Sequence, residues 1–364
     1  MPGEVIRIGF VPLVDCALLA IAQERGFFAR QHVDVELRKL QSWGQIREKM
    51  QERELDAAHM LITMPLQAAL ESSGGSPPFN YAYTLSRNGN GIILSNALWN
   101  VGVRDGIGLA AWMAAHPQRA LRLGVVYPRG TQEYFLRSWL ACGEITLDER
   151  ILLSIIPPQE MVGRLRKGEI DGFAVGEPWS RRAAASKLGR LVAESGKSLP
   201  GIGEKVLAVR PDWHRAHSLE HTRVLRALND ASVWMEDEAH FGEAVDIISS
   251  KRYVNTSKSA VGDALRAGSP QPGAPRESAR ARHQPARAHA EWYLRQMSKW
   301  GHADARAVIR LEFSSICLES FYQSAFPPAH REPLPVRGRA AGSESEPLPA
   351  GPPPEASGRP AITI

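Results

Sequence analysis

Apolar residues alternate between short strand-like runs and longer helix-like runs from Val5 to about Val209. Apolar runs of about four to eight residues are typical of buried strands, and apolar residues spaced three or four apart are typical of helices. Because the two signals alternate, the chain is predicted to be an α/β protein with largely parallel sheets. The strand-like runs are IRIGFV, VDVELRKL, DAAHML, GIILS, LRLGVVYP, ILLSII, IDGFAVG and KVLAVR. The helix-like runs between them are CALLAIAQERGFF, WGQIREKMQERE, MPLQAALESS, QEYFLRSWLACG, PQEMVGRLRKG and PWSRRAAASKLG.

The pattern then becomes helical and later loses its periodicity. The run TRVLRALNDASVWMEDEAHFGEAVDIISS places four residues on one helix face, namely Leu225, Leu228, Ala231 and Trp234. The stretch 266–289 is rich in Pro, Ala and Arg and has no periodic apolar face, which predicts an irregular linker. One more helix, AEWYLRQMSKWG, follows it. The low-complexity stretch 327–364 is predicted to be a disordered tail, because it cannot bury enough apolar surface to become ordered.

Composition excludes several classes of protein. The chain has 364 residues, 43% of them hydrophobic and 23% charged, which is typical of a globular protein long enough for two cores. No apolar run of about 18 residues is present, so no transmembrane segment is predicted. The net charge of +5 reflects arginines near the C-terminus, but no stacking aromatics lie between them, so direct nucleic-acid binding is not predicted. Cys16, Cys142 and Cys317 are scattered and form no CxxC pair, so neither a disulfide framework nor a zinc site is predicted.

The position of the first strand-like run bears on location. It begins at Val5, almost at the initiator methionine. A secretory signal needs a basic stretch, an apolar run of about 7–15 residues and a small-residue cleavage site. There is no room for these before Val5, which predicts a cytoplasmic protein. A start codon farther upstream would restore such a signal, and the protein would then be periplasmic or attached to the membrane.

A set of fragments carries a resemblance to a known family. The fragments are IRIGFVPLVDCALLAIAQERGFF, SWGQIREKM, DAAHMLITMPLQAAL, NGNGIILS, RGTQEYFLRSWLACG, IDGFAVGEPWS, GEKVLAV, ALNDASVW and EWYLRQMSKWG. In this order they resemble the nitrate- and bicarbonate-binding receptors of ABC transporters and their cytoplasmic relative, the NasS-type nitrate/nitrite sensor. The resemblance implies a type II periplasmic-binding-protein fold, in which two crossing segments join two α/β lobes.

The resemblance also implies where the lobes lie. Lobe one would comprise residues 1–90 plus 206–310, and lobe two residues 91–205, with the crossings near NGNGIILS and GEKVLAV. The match is lost at 266–289, where the receptors carry an aromatic-rich segment and this chain carries Arg, Pro and Ala. A local reading-frame change and a lineage-specific insertion would each explain the difference.

The run LGVVYPRGTQEYFLRSWL predicts a strand, a turn and a helix start that can hold an oxyanion. Gly130 lets the backbone turn closely, Thr131 can cap the helix, and the amides up to Gln132 would point into a cleft. Such a junction is also ordinary structure, so its assignment to ligand binding depends on the resemblance. The nitrate receptors carry a histidine at the position of Gln132, and a neutral amide can donate to an anion but cannot titrate.

The resemblance implies three further ligand contacts. Trp43 would wall the pocket, although an isolated tryptophan more often packs in a core. Asn90 stands where the receptors carry a glutamine and has the same donors, although Asn-Gly pairs are also strong turn signals. Lys205 stands where the family places the cation that faces the anion. The alternative for Lys205 is a solvated ion pair with Glu204.

The predicted function is binding of nitrate or nitrite, with bicarbonate as a weaker candidate, by hinge closure of the lobes. No cofactor or metal is implied. An enzyme is not predicted, because the cysteine-rich iron motif of the thiamine-pyrimidine synthases on this fold is absent and His59 has no nucleophile arrangement beside it. A cytoplasmic protein of this type is expected to be a sensor that holds an RNA-binding antiterminator until the anion arrives. The alternative is the substrate-binding component that serves an ABC permease.

Overall fold

Two five-stranded sheets organise the chain in the computed structural model, which describes residues 4–72, 76–268 and 277–327. The strands are β1 (Ile6–Phe10), β2 (Val35–Lys39), β3 (Ala57–Leu61), β4 (Asn80–Arg87), β5 (Asn90–Ser95), β6 (Leu121–Val125), β7 (Ile151–Ile155), β8 (Gly172–Gly176), β9 (Gly189–Glu194) and β10 (Gly203–Val209). The first sheet has the order β2-β1-β3-β10-β4, and the second has the order β7-β6-β8-β5-β9.

One strand in each sheet runs against its neighbours. In the first sheet β1 is parallel to β2 and β3, whereas β10 is antiparallel to β3 and β4. In the second sheet β6 is parallel to β7 and β8, whereas β5 is antiparallel to β8 and β9. Both reversed strands, β5 and β10, are the first strands after the chain has passed from one sheet to the other. The reversals therefore mark the two places where the lobes are joined.

The two crossing segments are bonded to each other. The first crossing is residues 88–89, and the second is residues 195–202. The Asn88 side chain donates to the carbonyl of Leu199 at 2.6 Å and accepts from the amide of Gly201 at 2.8 Å. Asn88 has a φ of 57°, a left-handed conformation that asparagine tolerates well. The turn role considered for Asn90 therefore belongs to Asn88, and Asn90 begins β5.

Helices cover the faces of both sheets. The α-helices are α1 (Ala17–Glu24), α2 (Phe27–Arg30), α3 (Trp43–Gln51), α4 (Thr63–Glu71), α5 (Asn96–Asn100), α6 (Gly106–Ala115), α7 (Thr131–Ala141), α8 (Met161–Arg166), α9 (Trp179–Ala185), α10 (Ser195–Ser198), α11 (Pro211–Ala216), α12 (Ser218–Met235), α13 (Phe241–Ser249), α14 (Lys258–Gly268), α15 (Ala279–His283), α16 (Arg287–Lys299), α17 (Ala305–Ile309) and α18 (Glu319–Ala325). In the first lobe, α12 and α13 pack against α1, and α16 packs against α4.

The largest hydrophobic core extends across both lobes. It surrounds the first sheet and continues to Tyr127, Phe173 and Trp179 of the second lobe. A smaller core fills the far side of the second sheet, around Leu109 and Phe135. All seven residues of β10 are buried, because this strand lies between β3 and β4 in the first sheet. The functional candidates on β10 are therefore held by a strand that cannot shift without disturbing the core.

The predicted α/β fold with two lobes and two crossings is confirmed, and two strands were missed. The missed strands are β4, with the sequence NYAYTLSR, and β9, with the sequence GRLVAE. Both lie at an edge of their sheet. Edge strands carry polar residues more often than central ones, so their apolar pattern is weaker than that of the strands found from the sequence.

The stretch 266–289, expected to be an irregular linker, is partly helical. It contains the end of α14, the whole of α15 and the start of α16, and its residues 269–276 lie outside the described part of the chain. Ser278 caps α15 by accepting from the amide of Ala281 at 3.2 Å. His283 is buried and stacks on Tyr83 of β4 at 4.9 Å. A histidine supplies the packing here, so a search for aliphatic periodicity could not find this helix.

The first lobe continues beyond residue 310, where the sequence reasoning ended it. Cys317 forms an isolated bridge with Tyr81 of β4, and Tyr322 of α18 packs against Tyr83 at 6.0 Å. Residues up to 327 are therefore part of this lobe. The tail expected over 327–364 lies outside the described residues except for Pro327.

Candidate anion site between the lobes

The predicted ligand residues lie where the two lobes meet. Leu61, the last residue of β3, pairs with Lys205 of β10 in the first lobe. In the second lobe, Gly130 is followed directly by α7. A Cβ atom added to Gly130 would lie 3.1 Å from the Leu61 side chain and 3.0 Å from the carbonyl oxygen of Tyr127. Glycine at this position therefore allows the start of α7 to approach the end of β3 closely.

Lys205 is completely buried beside two carboxylates. Its Nζ lies 2.7 Å from Glu204 Oε1 and 3.0 Å from Asp15 Oδ2, and both acidic side chains are also buried. The solvated ion pair considered from the sequence is thus excluded by burial. Burial alone would lower the pKa of Lys205, but the charges of Asp15 and Glu204 outweigh it and raise that pKa above its ordinary value. Lys205 therefore remains a cation.

One oxygen of Glu204 accepts hydrogen bonds from both lobes. Thr131 Oγ1 donates to Glu204 Oε1 at 2.6 Å, Gln132 Nε2 donates at 3.0 Å, and Lys205 Nζ donates at 2.7 Å. Gln132 Nε2 also donates to Asn90 Oδ1 at 2.8 Å. The second oxygen, Glu204 Oε2, is buried and has no hydrogen-bond partner in the described part of the chain. The three donors thus surround a negatively charged oxygen, and this oxygen belongs to the protein's own Glu204 carboxylate.

Further polar atoms near this cluster have no hydrogen-bond partner among the residues that the structure describes. They are Trp43 Nε1, Thr63 Oγ1 and both ring nitrogens of His59, and all of them are buried. The rings of Trp43 and His59 meet edge to face at 5.0 Å. Burial, and secondly the charge of Lys205, lowers the pKa of His59 well below its ordinary value, so His59 is neutral and keeps one N–H donor. Buried donors without a partner are uncommon, and a small oxyanion would provide acceptors for them.

The structure brings most of the predicted residues together. One connected hydrogen-bond network includes Asn90, Thr131, Gln132 and Lys205. Sequence reasoning missed Asp15, although its position shortly after the buried run IRIGFVPL, at the carboxyl end of a strand, was a usable signal. It did not assign His59 to the site, and it considered Glu204 only as the partner of Lys205 in the alternative, solvated ion pair. Thr63 was not considered, because nothing in its local sequence distinguishes it from an ordinary first helical residue.

The turn after β8 fastens the second lobe to the first. The amide of Val14 donates to the carbonyl of Glu177 at 2.9 Å, and Trp179 Nε1 donates to the carbonyl of Pro12 at 3.1 Å. The Glu177 carboxylate is itself buried and accepts from Ser180 Oγ at 2.6 Å. These contacts close the lobes on the side of the cluster that carries Asp15.

Glu177 gives a prediction for the pH dependence of stability. Burial raises the pKa of Glu177 from its ordinary 4.5 to about 7. Between these two values the folded protein holds a proton that the unfolded chain has released. The free energy of unfolding should therefore fall by up to roughly 3 kcal/mol as the pH rises through this window. Glu177→Gln should remove this fall in the free energy of unfolding. Urea denaturation of the variant and the wild type at about pH 5 and about pH 8 measures the difference.

The control for this experiment is Glu160→Gln. Glu160 is an exposed carboxylate of the same lobe that pairs with Arg164 at 3.2 Å, and its variant should keep the wild-type slope. Equal slopes in the Glu177 variant and the wild type would contradict the assignment of that proton to Glu177.

The described residues carry neither a metal-binding cluster nor a membrane-spanning helix. Within residues 4–72, 76–268 and 277–327, no group of three or more His, Cys, Asp or Glu side chains is arranged to hold a metal ion. None of the helices described there is long and apolar enough to cross a membrane. Cys16, Cys142 and Cys317 are all free thiols.

The fold and the cluster together define a class of protein. Two α/β lobes, joined by paired crossings and meeting at buried polar side chains, are the architecture of periplasmic binding proteins, which hold small ligands between their lobes. Residues 2–249 match the NMT1-like family, and the chain belongs to that family.

The chain is similar in sequence to proteins named for nitrate import and bicarbonate binding. The chain is 36% identical over 311 residues to the nitrate import ATP-binding protein NrtC of a Synechocystis species, a match covering 82% of this chain and 46% of NrtC. It is 31% identical over 266 residues to the bicarbonate-binding protein CmpA of Synechococcus elongatus, covering 69% of this chain and 58% of CmpA. The chain thus spans about half the length of the curated relatives that it matches.

The fold of this chain is similar to a solved structure over most of its length. The crystal structure of the periplasmic nitrate-binding protein NrtA from Synechocystis PCC 6803 matches with a TM-score of 0.78 and 25% sequence identity, covering 88% of each chain. Together with the sequence relatives, it confirms the predicted resemblance to nitrate- and bicarbonate-binding proteins.

Proposed function

We propose that this chain binds a small inorganic oxyanion between its lobes and acts as the substrate-binding component of a nitrate- or bicarbonate-type ABC importer. The observation that carries the proposal is the set of donors around Glu204 Oε1. A hydroxyl, an amide and an ammonium group from two lobes converge on one buried oxygen. A donor set of this kind suits an oxygen that carries negative charge.

The chemistry of the cluster supports a planar oxyanion in particular. Nitrate, nitrite and bicarbonate carry two or three oxygens on one small centre, and each oxygen accepts hydrogen bonds. Lys205 supplies the positive charge that an anion needs when it leaves water. Trp43, His59 and Thr63 supply buried neutral donors that have no partner within residues 4–72, 76–268 and 277–327. The proposed ligand contacts are Trp43, Asn90, Gly130, Thr131, Gln132 and Lys205, with His59 and Thr63 added from the structure.

Hinge closure is the proposed way in which the anion enters. The contacts between the lobes include the hydrogen bonds of Thr131 and Gln132 to Glu204, and these must open before a ligand reaches the cluster. The crossings at residues 88–89 and 195–202 are the two connections about which the lobes would turn. Hinge motion about such connections is common to periplasmic binding proteins.

A transport role is favoured over the sensor role expected from the sequence. NrtC is named for nitrate import, CmpA for binding bicarbonate, and NrtA for binding nitrate in the periplasm. An antiterminator partner receives no support from these relatives, and the more economical proposal is a partnership with an ABC permease. Such a receptor acts outside the cytoplasmic membrane, so cell fractionation separates this role from that of a cytosolic sensor.

The proposal predicts saturable binding of one anion per chain. Nitrate, nitrite and bicarbonate should each be titrated into the wild-type protein by calorimetry, with chloride and sulfate as controls. At least one of the three should bind with one-to-one stoichiometry, because the cluster offers one set of convergent donors, and sulfate should not. If all five titrations give only dilution heats, the protein is not a receptor for these anions.

A further inference from the structure

We infer that the Glu204 carboxylate is a built-in competitor for the anion site, so that an oxyanion binds only when this carboxylate is neutralised or displaced. The inference rests on the proposed function and concerns the regulation of the same site. Glu204 Oε1 already occupies the donors of Thr131, Gln132 and Lys205. The chain therefore closes on its own carboxylate in the way that it would close on a ligand.

The competition follows from the shared chemistry of the two groups. A carboxylate and a nitrate are both planar oxyanions that accept hydrogen bonds and donate none. The Thr131 hydroxyl has a single proton, so it cannot serve Glu204 and an external anion at once. Lys205 has further N–H donors, but its single positive charge is already balanced by Glu204 and Asp15, so it offers no net positive charge to an external anion.

The charge balance makes the competition dependent on protonation. One ammonium and two carboxylates leave the cluster with a net negative charge, and a bound nitrate would add a second. Neutralising Glu204 removes this excess, so nitrate binding should be accompanied by uptake of a proton. Burial raises the pKa of Glu204 above its ordinary value, although Lys205 opposes the shift. The competing carboxylate is therefore easier to protonate than an ordinary glutamate.

Other charged and titratable groups also face Glu204. Lys205 and Asp15 are the paired charges described above. His59, on β3, is kept neutral by burial and by Lys205. Tyr293, on α16, is buried, and its pKa is raised well above its ordinary value, so its hydroxyl also stays neutral. Glu204 accepts from the donors of Thr131 and Gln132 and has a pKa that burial raises, so its protonation is expected to couple to anion binding.

Calorimetric titration of nitrate over a pH series tests the inference, because nitrate itself does not titrate near neutral pH. Wild-type affinity should increase as the pH falls, by up to about tenfold per pH unit, the limit for one coupled proton. Glu204→Gln removes the negative charge and keeps the shape. It should bind nitrate at least about tenfold more tightly than the wild type near pH 8, with little pH dependence.

Two further variants separate occupancy of the donors from simple charge. Asp15→Asn removes the other carboxylate of Lys205, which does not occupy the donors of Thr131 and Gln132, so it should tighten binding less than Glu204→Gln. Glu160→Gln, on the exposed surface of the second lobe, should leave the affinity unchanged. Equal tightening in the Asp15 and Glu204 variants would show a general charge effect and overturn the inference.

The remaining outcomes distinguish the inference from the proposed function. If wild type and Glu204→Gln bind an anion equally well, or the variant binds more weakly, the inference is wrong and the receptor role stands. If neither binds nitrate, nitrite or bicarbonate, the proposed function fails and the inference fails with it. Should the variant not fold, the pH slope of the wild type decides alone, and a flat slope overturns the inference.

Discussion

Lys205→Gln is expected to lower the free energy of unfolding by about 3–5 kcal/mol, the usual cost of removing one partner from a buried ion pair. Asp15 and Glu204 would then remain as buried carboxylates without their cation. Nitrate affinity should fall at least about tenfold as well, because the anion loses its charged donor and meets uncompensated negative charge. Chemical denaturation measures the first effect, and calorimetry measures the second.

The double variant Glu204→Gln with Lys205→Gln is the matched control for this loss. In the double variant only Asp15 remains as a buried carboxylate without its cation, whereas the single variant leaves both Asp15 and Glu204. The double variant should therefore be more stable than Lys205→Gln alone. A loss below about 1 kcal/mol for the single variant would mean that the ion pair contributes no more than a surface pair. That result would contradict the burial of Lys205 and the electrostatic role assigned to it.

Trp43→Phe is expected to weaken nitrate binding by about ten- to a hundredfold, which corresponds to one hydrogen bond to a charged group. Trp43 Nε1 is a buried donor without a partner in the described residues. Phenylalanine has no such donor, so the variant removes an interaction with the ligand without breaking a hydrogen bond within the protein. Calorimetric titration of the variant and the wild type measures the difference.

Trp213→Phe controls for the loss of ring volume. Trp213 is also buried in the first lobe and packs near His217 and His221, away from the cluster. Both variants should lose some stability, but only the Trp43 variant should lose affinity for nitrate. If the two variants bind nitrate equally well, Trp43 is a packing residue and its assignment to the site is wrong.

The fold was largely predictable because its central strands are buried on both faces. IRIGFV, DAAHML and KVLAVR are such strands, and the sequence reasoning found each of them. The edge strands β4 and β9 were not found, because polar residues such as Asn80 and Thr84 in β4 and Arg190 in β9 dilute the apolar pattern. Helix α15 was missed because a buried histidine, rather than an aliphatic stripe, holds it against β4.

The site was predictable only in part, for a different physical reason. The donors of Thr131, Gln132 and Lys205 were inferred from local motifs and from the family resemblance. Their common partner, Glu204 Oε1, depends on how closely the two lobes approach one another. The second carboxylate, Asp15, reaches Lys205 across 190 residues of sequence. Distance along the chain gives no signal for such a contact.

A crystal structure of the wild-type protein with nitrate would test the central claim most directly. One planar anion is expected between the lobes, within hydrogen-bond distance of Lys205 Nζ and Trp43 Nε1. Thr131 and Gln132 should donate hydrogen bonds to the anion, and no longer only to the Glu204 carboxylate. A nitrate ion bound elsewhere, with Glu204, Lys205 and Asp15 still arranged as they are now, would contradict the account.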